Sequence, residues 1–375
     1  MLKKMLFFSY LCAIFCWGIY HTYGITPFLK KSYTFEAWWG ATTIHCNGQA
    51  TDAMIHILKT IMQDYGSLSN QFVLKKQDGR ILSCTTGAKT QEDTRFRFAS
   101  LTKPITAALF LEHEAQGQVH RTMLMSQALG ISSSTDLRIN TITLHQLLTH
   151  TSGFDRLRSQ DPLMQEGGKS WCPYNLSKLS TIRLDHNPGE IYSYDNRNYC
   201  LLAVALEKAT NKKYEQLLSE YLFKYNFENI RLLEGPFLKD EARYDFRHEE
   251  HYFPSYTKKF DFYAMRPVAG LSGSAFDYAR LIHFFLYQRN LPFLEIIAQN
   301  QDTKGRLITI TAALRQKKMK TGESVFYHTG ALPAARSLLM IRENGDIIVW
   351  LGSGVPADPN LGTEDLMEVI LSNIN

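Results

Sequence analysis

Arg97-Phe-Ala-Ser100-Leu-Thr-Lys103-Pro-Ile-Thr-Ala-Ala108 is the stretch around which the rest of the chain is organised. The apolar residues that continue it recur at helical spacing, and Gly117 is placed to end the helix. Because residues three apart lie on one helix face, Lys103 can bring its amine to the Ser100 hydroxyl. The helix N-terminus also favours an alkoxide and opposes a proton on Lys103. The spacing therefore predicts an activated serine nucleophile with a neighbouring base.

A Ser-x-x-Lys pair is a weak signal by itself. At ordinary residue frequencies a chain of this length holds about one or two by chance. A second pair, Ser255-Tyr-Thr-Lys258, lies in an aromatic, charged stretch with no helix start after it. The assignment of Ser100 therefore depends on the other motifs of the chain.

The length and net charge of the chain limit the classes of protein to which it can belong. The 375 residues are enough for a large core, in one domain or two closely packed ones. The formal charge of +5 is spread along the chain, and the short basic cluster at 317–320 is typical of solvated surface. We therefore expect no nucleic-acid partner.

The N-terminus has the pattern of an export signal. Lys3 and Lys4 precede an apolar run from Met5 to about Tyr20. This pattern predicts a secretory signal peptide or a single membrane anchor over residues 1–24. We expect the catalytic unit, residues 25–375, to be exported and either periplasmic or anchored to the outer face of the inner membrane.

Four cysteines follow the leader, at Cys46, Cys84, Cys172 and Cys200. In an exported chain they can form up to two disulfides, in any of three pairings. None of the cysteine spacings is that of a metal site. We therefore expect structural cysteines rather than thiol catalysis.

The order of predicted elements indicates an α/β (α+β) fold. Near the N-terminus the patterns predict a helix at 52–65 and strands at 71–76 and 80–86. Near the C-terminus they predict strands at 307–311, 325–328, 336–341 and 347–352 and a closing helix at 361–374. The economical architecture is an antiparallel sheet flanked by helices, built from 45–120 and 275–375, with an inserted mostly helical part at 121–274. The aromatic stretch 237–263 is predicted to be a long insertion over or beside the site.

Two further motifs carry the chemistry that Ser100 needs. Tyr194-Asp-Asn196 precedes a helix predicted to start near Leu201, and its amide can hold Lys103 or a substrate carbonyl. The Tyr194 phenol can relay a proton if a cationic Lys103 lowers its pKa from about 10. His328-Thr329-Gly330-Ala331 is predicted to end a strand. There Gly330 admits substrate backbone, and the Ala331 N–H can form an oxyanion hole with that of Ser100.

The segment Leu147-Leu-Thr-His150-Thr-Ser-Gly153 has the pattern of a helix end with a buried polar turn. A histidine at such a turn can be structural or catalytic. For His150 we favour the structural role.

Taken together and in this order, these motifs resemble the serine β-lactamase and penicillin-binding superfamily, in its class C-like branch. The resemblance covers roughly residues 71–375. It implies that Ser100 is acylated, that Lys103 is its base or hydrogen-bond hub, and that Tyr194 shuttles protons. It also implies that Asn196, His328, Thr329, Gly330 and Ala331 bind substrate or the oxyanion, and that no metal or cofactor is needed.

Departures from the family pattern leave the substrate open. Class C β-lactamases carry Lys where His328 stands, and a histidine is neutral for much of the time near pH 7. If His328 sets the charge of the cleft, carboxylate-bearing substrates should bind more strongly below about pH 6.5. The first hypothesis is hydrolysis of an amide, peptide or lactam, with a small-molecule or peptide substrate of cell-wall origin. The alternatives are a carboxylesterase with the same site and, ranked last, a non-catalytic binding or scaffold protein.

Overall fold

The computed structural model describes residues 26–47, 51–131, 134–164, 169–235, 237–249 and 260–374. The predicted leader at 1–24 and the second Ser-x-x-Lys pair lie outside these ranges. Over the ranges described, no helix combines the length and apolar character needed to span a bilayer.

A ten-stranded sheet forms the centre of the molecule, in the order β1-β3-β2-β13-β12-β11-β10-β9-β8-β5. Neighbouring strands are antiparallel except for the parallel pair β5–β8. Its strands are β1 (His45–Asn47), β2 (Ser67–Lys75), β3 (Ile81–Thr86), β5 (Ile191–Tyr192), β8 (Ala298–Asp302), β9 (Leu307–Ile310), β10 (Arg315–Lys318), β11 (Ser324–Leu332), β12 (Ala335–Arg342) and β13 (Ile347–Gly354). The predicted sheet of strands from both chain ends is confirmed.

Strand β13 shows why the sheet separates two cores. Its residues are all buried, and successive side chains of a strand point to opposite faces. Val349 and Leu351 pack with one apolar cluster, whereas Ile348 and Trp350 pack with the other. The second cluster lies under α2 (Asp52–Asp64) and α11 (Thr363–Asn373), whose apolar stripes cover that face.

The opposite face carries the helical part of the chain. Helix α1 (Thr26–Gly40) packs instead beside α2. The remaining helices are α3 (Thr102–Ala115), α4 (Met125–Leu129), α5 (Leu144–Leu148), α6 (Trp171–Tyr174), α7 (Asn196–Thr210), α8 (Tyr214–Lys224), α9 (Phe262–Ala269) and α10 (Ala275–Tyr287). Helices α3, α7 and α9 contact one another, and they bring the sequence motifs of two distant segments to one place.

A small three-stranded sheet holds the start of the Ser100 segment. Strand β4 (Phe96–Arg97) pairs with β7 (Leu271–Gly273), which also pairs with β6 (Arg231–Leu232). Arg97 is fully buried and forms an ion pair with Glu241 at 2.5 Å. The chain entering the nucleophile turn is therefore fixed by both backbone and charged contacts.

Two disulfides resolve the pairing that the sequence left open. Cys46 is bonded to Cys84 and Cys172 to Cys200, across 38 and 28 residues. The first links β1 to β3 and the second links α6 to α7. By loop-closure entropy each stabilises the fold by about 3–4 kcal/mol.

Candidate active site

Ser100 lies in a tight 3₁₀ turn, Ala99–Leu101, directly before α3. Ala99 adopts φ +49°, a left-handed conformation that is uncommon outside glycine. The turn is held from the sheet and from α10, because Ser337 Oγ donates to the Phe98 carbonyl at 2.7 Å and the Tyr278 hydroxyl donates to the Leu101 carbonyl at 2.8 Å. Strained backbone of this kind is typical of functional sites.

Lys103 and Ser100 are in hydrogen-bonding contact, as the spacing predicts. The Lys103 Nζ atom lies 3.2 Å from Ser100 Oγ, 2.8 Å from Asn196 Oδ1 and 3.1 Å from the Val268 carbonyl oxygen. Lys103 is fully buried. Burial lowers its pKa well below the usual range; the charge of Asp161 opposes this shift, and that of Arg156 adds to it.

The three contacts define what a neutral Lys103 can do. A neutral amine has two N–H donors and one lone pair. The carbonyl oxygens of Asn196 and Val268 only accept hydrogen bonds, so they can take both N–H groups. The lone pair is then left for the Ser100 hydroxyl, which is the arrangement of a general base with its nucleophile.

Tyr194 faces the same centre. Its ring centroid lies 4.9 Å from Lys103 Nζ, and its hydroxyl is buried without a hydrogen-bond partner among the described residues. Burial raises its pKa above the ordinary 10, although the adjacent Ser100 lowers it in part. The expectation of a pKa depressed by a cationic Lys103 is therefore wrong in direction. A neutral phenol with a free hydroxyl can still donate a proton or pass one on.

Asn196 is the first residue of α7, rather than part of a loop ahead of a helix starting near Leu201. Asp195 caps that helix, since its side chain accepts from the Arg197 backbone N–H at 2.9 Å. An Asp before an apolar periodic run is a helix-start signal, and it was available in the sequence. The cap fixes Asn196 in the first turn, with its side chain directed at Lys103.

Asp161 was not singled out from the sequence. It is 4% exposed, and its Oδ2 atom accepts from Asn196 Nδ2 at 2.8 Å. Its Oδ1 atom accepts from the Leu163 backbone N–H at 3.0 Å. Burial raises its pKa, and so does the nearby charge of Asp195. No motif marks this residue, because the contact joins a loop to a helix that follows 35 residues later.

Strand β11 forms the opposite wall. His328, Thr329 and Gly330 lie within this strand rather than at its end, while Ala331 is exposed near the end. At Gly330 an added Cβ would lie 2.7 Å from the Phe98 carbonyl oxygen and 3.0 Å from the Ser100 nitrogen. The close approach that requires glycine is thus to the nucleophile turn itself, in addition to any approach by substrate.

His328 is a poor source of positive charge. It is 4% exposed, and its Nδ1 atom lies 2.9 Å from the Thr329 carbonyl oxygen. Burial holds its pKa well below 6.5, and the charges of Lys103 and Arg315 lower it further. The expectation that His328 gains charge near pH 6.5 is therefore not supported.

Two arginines place fixed charge near the site. The Arg156 guanidinium carbon lies 5.0 Å from the Tyr194 ring centroid, and its side chain is exposed. Arg315 forms an ion pair with Glu364 at 3.0 Å. An anionic substrate group near Tyr194 would therefore meet Arg156 rather than a protonated histidine.

His150 has the contacts of a structural residue. It is buried at φ +56°, and its ring centroid lies 4.5 Å from that of Tyr194. Its Nδ1 atom accepts from the Asp195 backbone N–H at 3.3 Å and is 3.0 Å from Asn198 Nδ2. Burial lowers its pKa well below the ordinary value. His150 thus fixes the backbone that carries the Tyr194 motif.

The described part of the aromatic insertion packs beside the segment that leads into Ser100. The described residues of 237–263 contact Arg95, Arg97 and α1, and no hydrogen bond from them to Ser100 is found. Within the described ranges no group of three or more His, Cys, Asp or Glu side chains could hold a metal ion.

Comparison with solved structures places this geometry in a known fold. A D-stereospecific amidohydrolase from Streptomyces sp. superposes with a TM-score of 0.70 over 87% of this chain and 100% of its own, at 18% identity. The D-alanine carboxypeptidase AmpC from Burkholderia cenocepacia superposes with a TM-score of 0.67 over 86% of this chain and 98% of its own, at 16% identity. At these identities the likeness is one of fold.

Sequence comparison gives the family. The "Probable fimbrial assembly protein FimD, serogroup H1" of Dichelobacter nodosus is 33% identical over 271 residues, which are 70% of this chain and 68% of that protein. The D-alanyl-D-alanine-carboxypeptidase/endopeptidase AmpH of Escherichia coli (strain K12) is 32% identical over 147 residues, 36% of this chain and 35% of its own. The Beta-lactamase family model matches residues 68–366. The chain therefore belongs to the Beta-lactamase family and is a serine hydrolase.

Proposed function

We propose that this protein is an exported serine hydrolase that opens an amide, peptide or lactam bond through an acyl-enzyme on Ser100. The observation that carries the proposal is the contact of Lys103 Nζ with Ser100 Oγ and Asn196 Oδ1, at 3.2 and 2.8 Å. A buried amine with a lowered pKa can take the proton of the neighbouring serine hydroxyl and so activate the serine oxygen as a nucleophile.

The proposed reaction has two halves. The Ser100 oxygen attacks the substrate carbonyl carbon while its proton passes to Lys103, and the N–H groups of Ser100 and Ala331 hold the oxyanion. The C–N bond then breaks as Lys103, through Tyr194, returns the proton to the leaving nitrogen. Water attacks the ester carbonyl next, gives one proton to the same pair, and releases the acid. Ser100 recovers its proton at that step.

The relatives and the charge of the cleft support one substrate class over the others. One structural neighbour is a D-stereospecific amidohydrolase, and one sequence relative is a D-alanyl-D-alanine-carboxypeptidase/endopeptidase. The exposed Arg156 beside Tyr194 suits a substrate with a free carboxylate. We therefore favour a short peptide or amide of D-amino acids of cell-wall origin. A carboxylesterase is the second candidate, favoured by the neutral His328.

Hydrolysis assays separate the two candidates. Purified protein is given D-alanyl-D-alanine peptides, D-amino-acid amides, a chromogenic lactam and short-chain p-nitrophenyl esters, with Ser100→Ala as the matched control. The proposal expects release of D-alanine or ammonia that is lost in Ser100→Ala. Turnover of esters alone would transfer the assignment to an esterase.

We also propose that the catalytic unit is held at a membrane surface. One face of α1 packs Tyr33 and Ala37 against α2, while the opposite face exposes 59–64% of Phe35, Trp38 and Trp39. These aromatic residues follow closely after the apolar run of the leader, and tryptophan is enriched at membrane interfaces. The bilayer surface is therefore the occupant we assign to this face.

Flotation of the full chain with phospholipid vesicles tests this assignment. Replacing the three aromatic residues by serine should reduce the fraction of protein that floats with the vesicles. The control replaces three exposed apolar residues elsewhere, Leu137, Phe223 and Leu307, by serine. Equal effects of the two triple variants would contradict the assignment, as would a dimer formed through this face in solution.

A role in fimbrial assembly is a second cellular context, favoured by the 33% identity to the Dichelobacter nodosus proteins of that name. Fimbriae can be counted on cells that lack the gene and are complemented with wild type or Ser100→Ala. Rescue by wild type alone would tie hydrolysis to assembly. Rescue by both would favour a scaffold.

A further inference from the structure

We propose that Asp161 is a positioning residue of the active site, which fixes the side-chain amide of Asn196 so that Lys103 keeps its lone pair for Ser100. The inference rests on the proposed function, because it assigns the group that orients the base. Asp161 does not contact Ser100 directly among the contacts described. It acts through one hydrogen bond, from Asn196 Nδ2 to Asp161 Oδ2 at 2.8 Å.

The orientation follows from donor and acceptor chemistry. An amide side chain has an oxygen that accepts and a nitrogen that donates, and an ionised carboxylate only accepts. The Asp161 carboxylate therefore requires Asn196 to present Nδ2 to it. Asn196 Oδ1 is then fixed on the other side, 2.8 Å from Lys103 Nζ.

The reverse amide orientation would disable the base. Asn196 Nδ2 would then donate to the lone pair of a neutral Lys103, and the Ser100 proton would have no acceptor. Nothing in Asn196 itself selects between the two orientations, since both fill the same space. The buried carboxylate on the far side makes the selection.

The negative charge of Asp161 also supports Lys103 as a base. Asp161 is buried, and its hydrogen bonds come from neutral donors, the Asn196 amide and the Leu163 N–H. Its negative charge favours a proton on Lys103 and thus keeps the base from becoming too weak. The charged or titratable groups around Lys103 are Asp161, Asp195, Arg156, Tyr194, Tyr199, His150 and His328. Asp195 forms an ion pair with Arg197 at 2.7 Å, whereas Asp161 is, among the described residues, the carboxylate joined to Lys103 through a single side chain, that of Asn196.

The test is the pH dependence of Ser100 acylation by a fluorophosphonate, from pH 5 to pH 9, in wild type and Asp161→Asn. In Asp161→Asn the acylation rate on the high-pH plateau should fall roughly tenfold or more. This loss is a part of the hundredfold or greater contribution that a general base makes to the rate. The acid limb should move to lower pH by roughly one unit, because an opposite charge near Lys103 has been removed. Loss of folded protein alone would lower the plateau without moving the limb, and that result would overturn the proposal.

Asp155→Asn is the matched control. Asp155 is 1% exposed and lies in the same loop, but its partners include His186 Nε2 at 3.1 Å, the Leu157 N–H at 2.8 Å and Arg158 Nε at 3.9 Å. This variant should lose stability and keep the wild-type acid limb. An equal displacement of the limb in both variants would contradict a specific role for Asp161.

A double variant tests whether Asp161 acts through Asn196. In an Asn196→Ala background, Asp161→Asn should lower the plateau rate clearly less than the roughly tenfold expected with Asn196 present, because the bridging amide is gone and only the direct effect of the Asp161 charge on Lys103 is left. If the rate losses of the two single substitutions multiply in the double variant, the proposal is overturned. If the fluorophosphonate does not label wild type at all, the proposed function fails instead. The inference is then decided by NMR titration of ¹³C-labelled lysine, in which the Lys103 pKa should be lower in Asp161→Asn and an unchanged pKa would refute it.

Discussion

Replacing Gly330 by alanine tests how the β11 wall is fitted to the nucleophile turn. The added Cβ would overlap Ser337 Oγ and lie 2.7 Å from the Phe98 carbonyl oxygen and 3.0 Å from the Ser100 nitrogen. To restore an ordinary contact of 3.4 Å with the Phe98 oxygen, the strand and the turn must separate by about 0.7 Å. That movement separates the two N–H groups assigned to the oxyanion, those of Ser100 and Ala331.

The magnitude follows from this displacement. Overpacking of a well-packed site costs typically about 1–3 kcal/mol of folding free energy. A misplacement of about 1 Å at a reacting centre can lower the rate about a hundredfold, so we expect Gly330→Ala to acylate roughly 10- to 100-fold more slowly. The assay is the second-order rate constant of fluorophosphonate labelling, with thermal unfolding measured on the same samples.

Gly322→Ala separates loss of rate from loss of stability. Gly322 has φ +91° with no atom within 4 Å of an added Cβ, so alanine there meets backbone strain and no neighbour. It should lose about 1–2 kcal/mol of stability and retain the wild-type labelling rate. A rate for Gly330→Ala within twofold of wild type would refute the reasoning, as would equal rate losses in the two variants.

Three other outcomes are expected. Lys103→Ala and Tyr194→Phe should each lower the acylation rate at least about a hundredfold, and near-normal stopped-flow rates in both would refute the proton relay. The unfolded chain takes up protons on His150 and His328 below about pH 6.5 while the folded protein does not, so stability should fall by up to about 1.4 kcal/mol per histidine and pH unit. Urea unfolding at pH 7, 6 and 5 measures this, and His328→Asn should make the slope of stability against pH shallower; an unchanged slope would contradict the burial argument. Breaking the α6–α7 disulfide by replacing both cysteines with serine should cost about 3–4 kcal/mol, and a loss below about 1 kcal/mol in urea unfolding would contradict loop closure as its main contribution.

Local patterns predicted the parts of the structure that depend on local chemistry. The amphipathic helix at 52–65 is found as Asp52–Asp64, and the hairpin strands at 71–76 and 80–86 pair as β2 and β3. The contact of Lys103 with Ser100 follows from a spacing of three residues at a helix start. The fold class and the family also followed from the order of motifs along the chain.

Features set by packing between distant segments were not predictable from patterns. Strand β4 has two residues and β7 has three, too few to show a period. The hydrogen bond of Asp161 to Asn196 joins a loop to a helix, and a lone aspartate carries no motif. The pKa directions of Tyr194 and His328 depend on burial, which sequence spacing does not reveal.

The central claim is that Ser100 is the acylated nucleophile, and intact-mass analysis tests it most directly. Wild type, Ser100→Ala and Ser255→Ala are incubated separately with a penicillin and with a fluorophosphonate, and each adduct is mapped by peptide sequencing. We expect one equivalent of adduct on Ser100 in wild type and in Ser255→Ala, and none in Ser100→Ala. An adduct that persists in Ser100→Ala, or the absence of any adduct in wild type, would contradict the account.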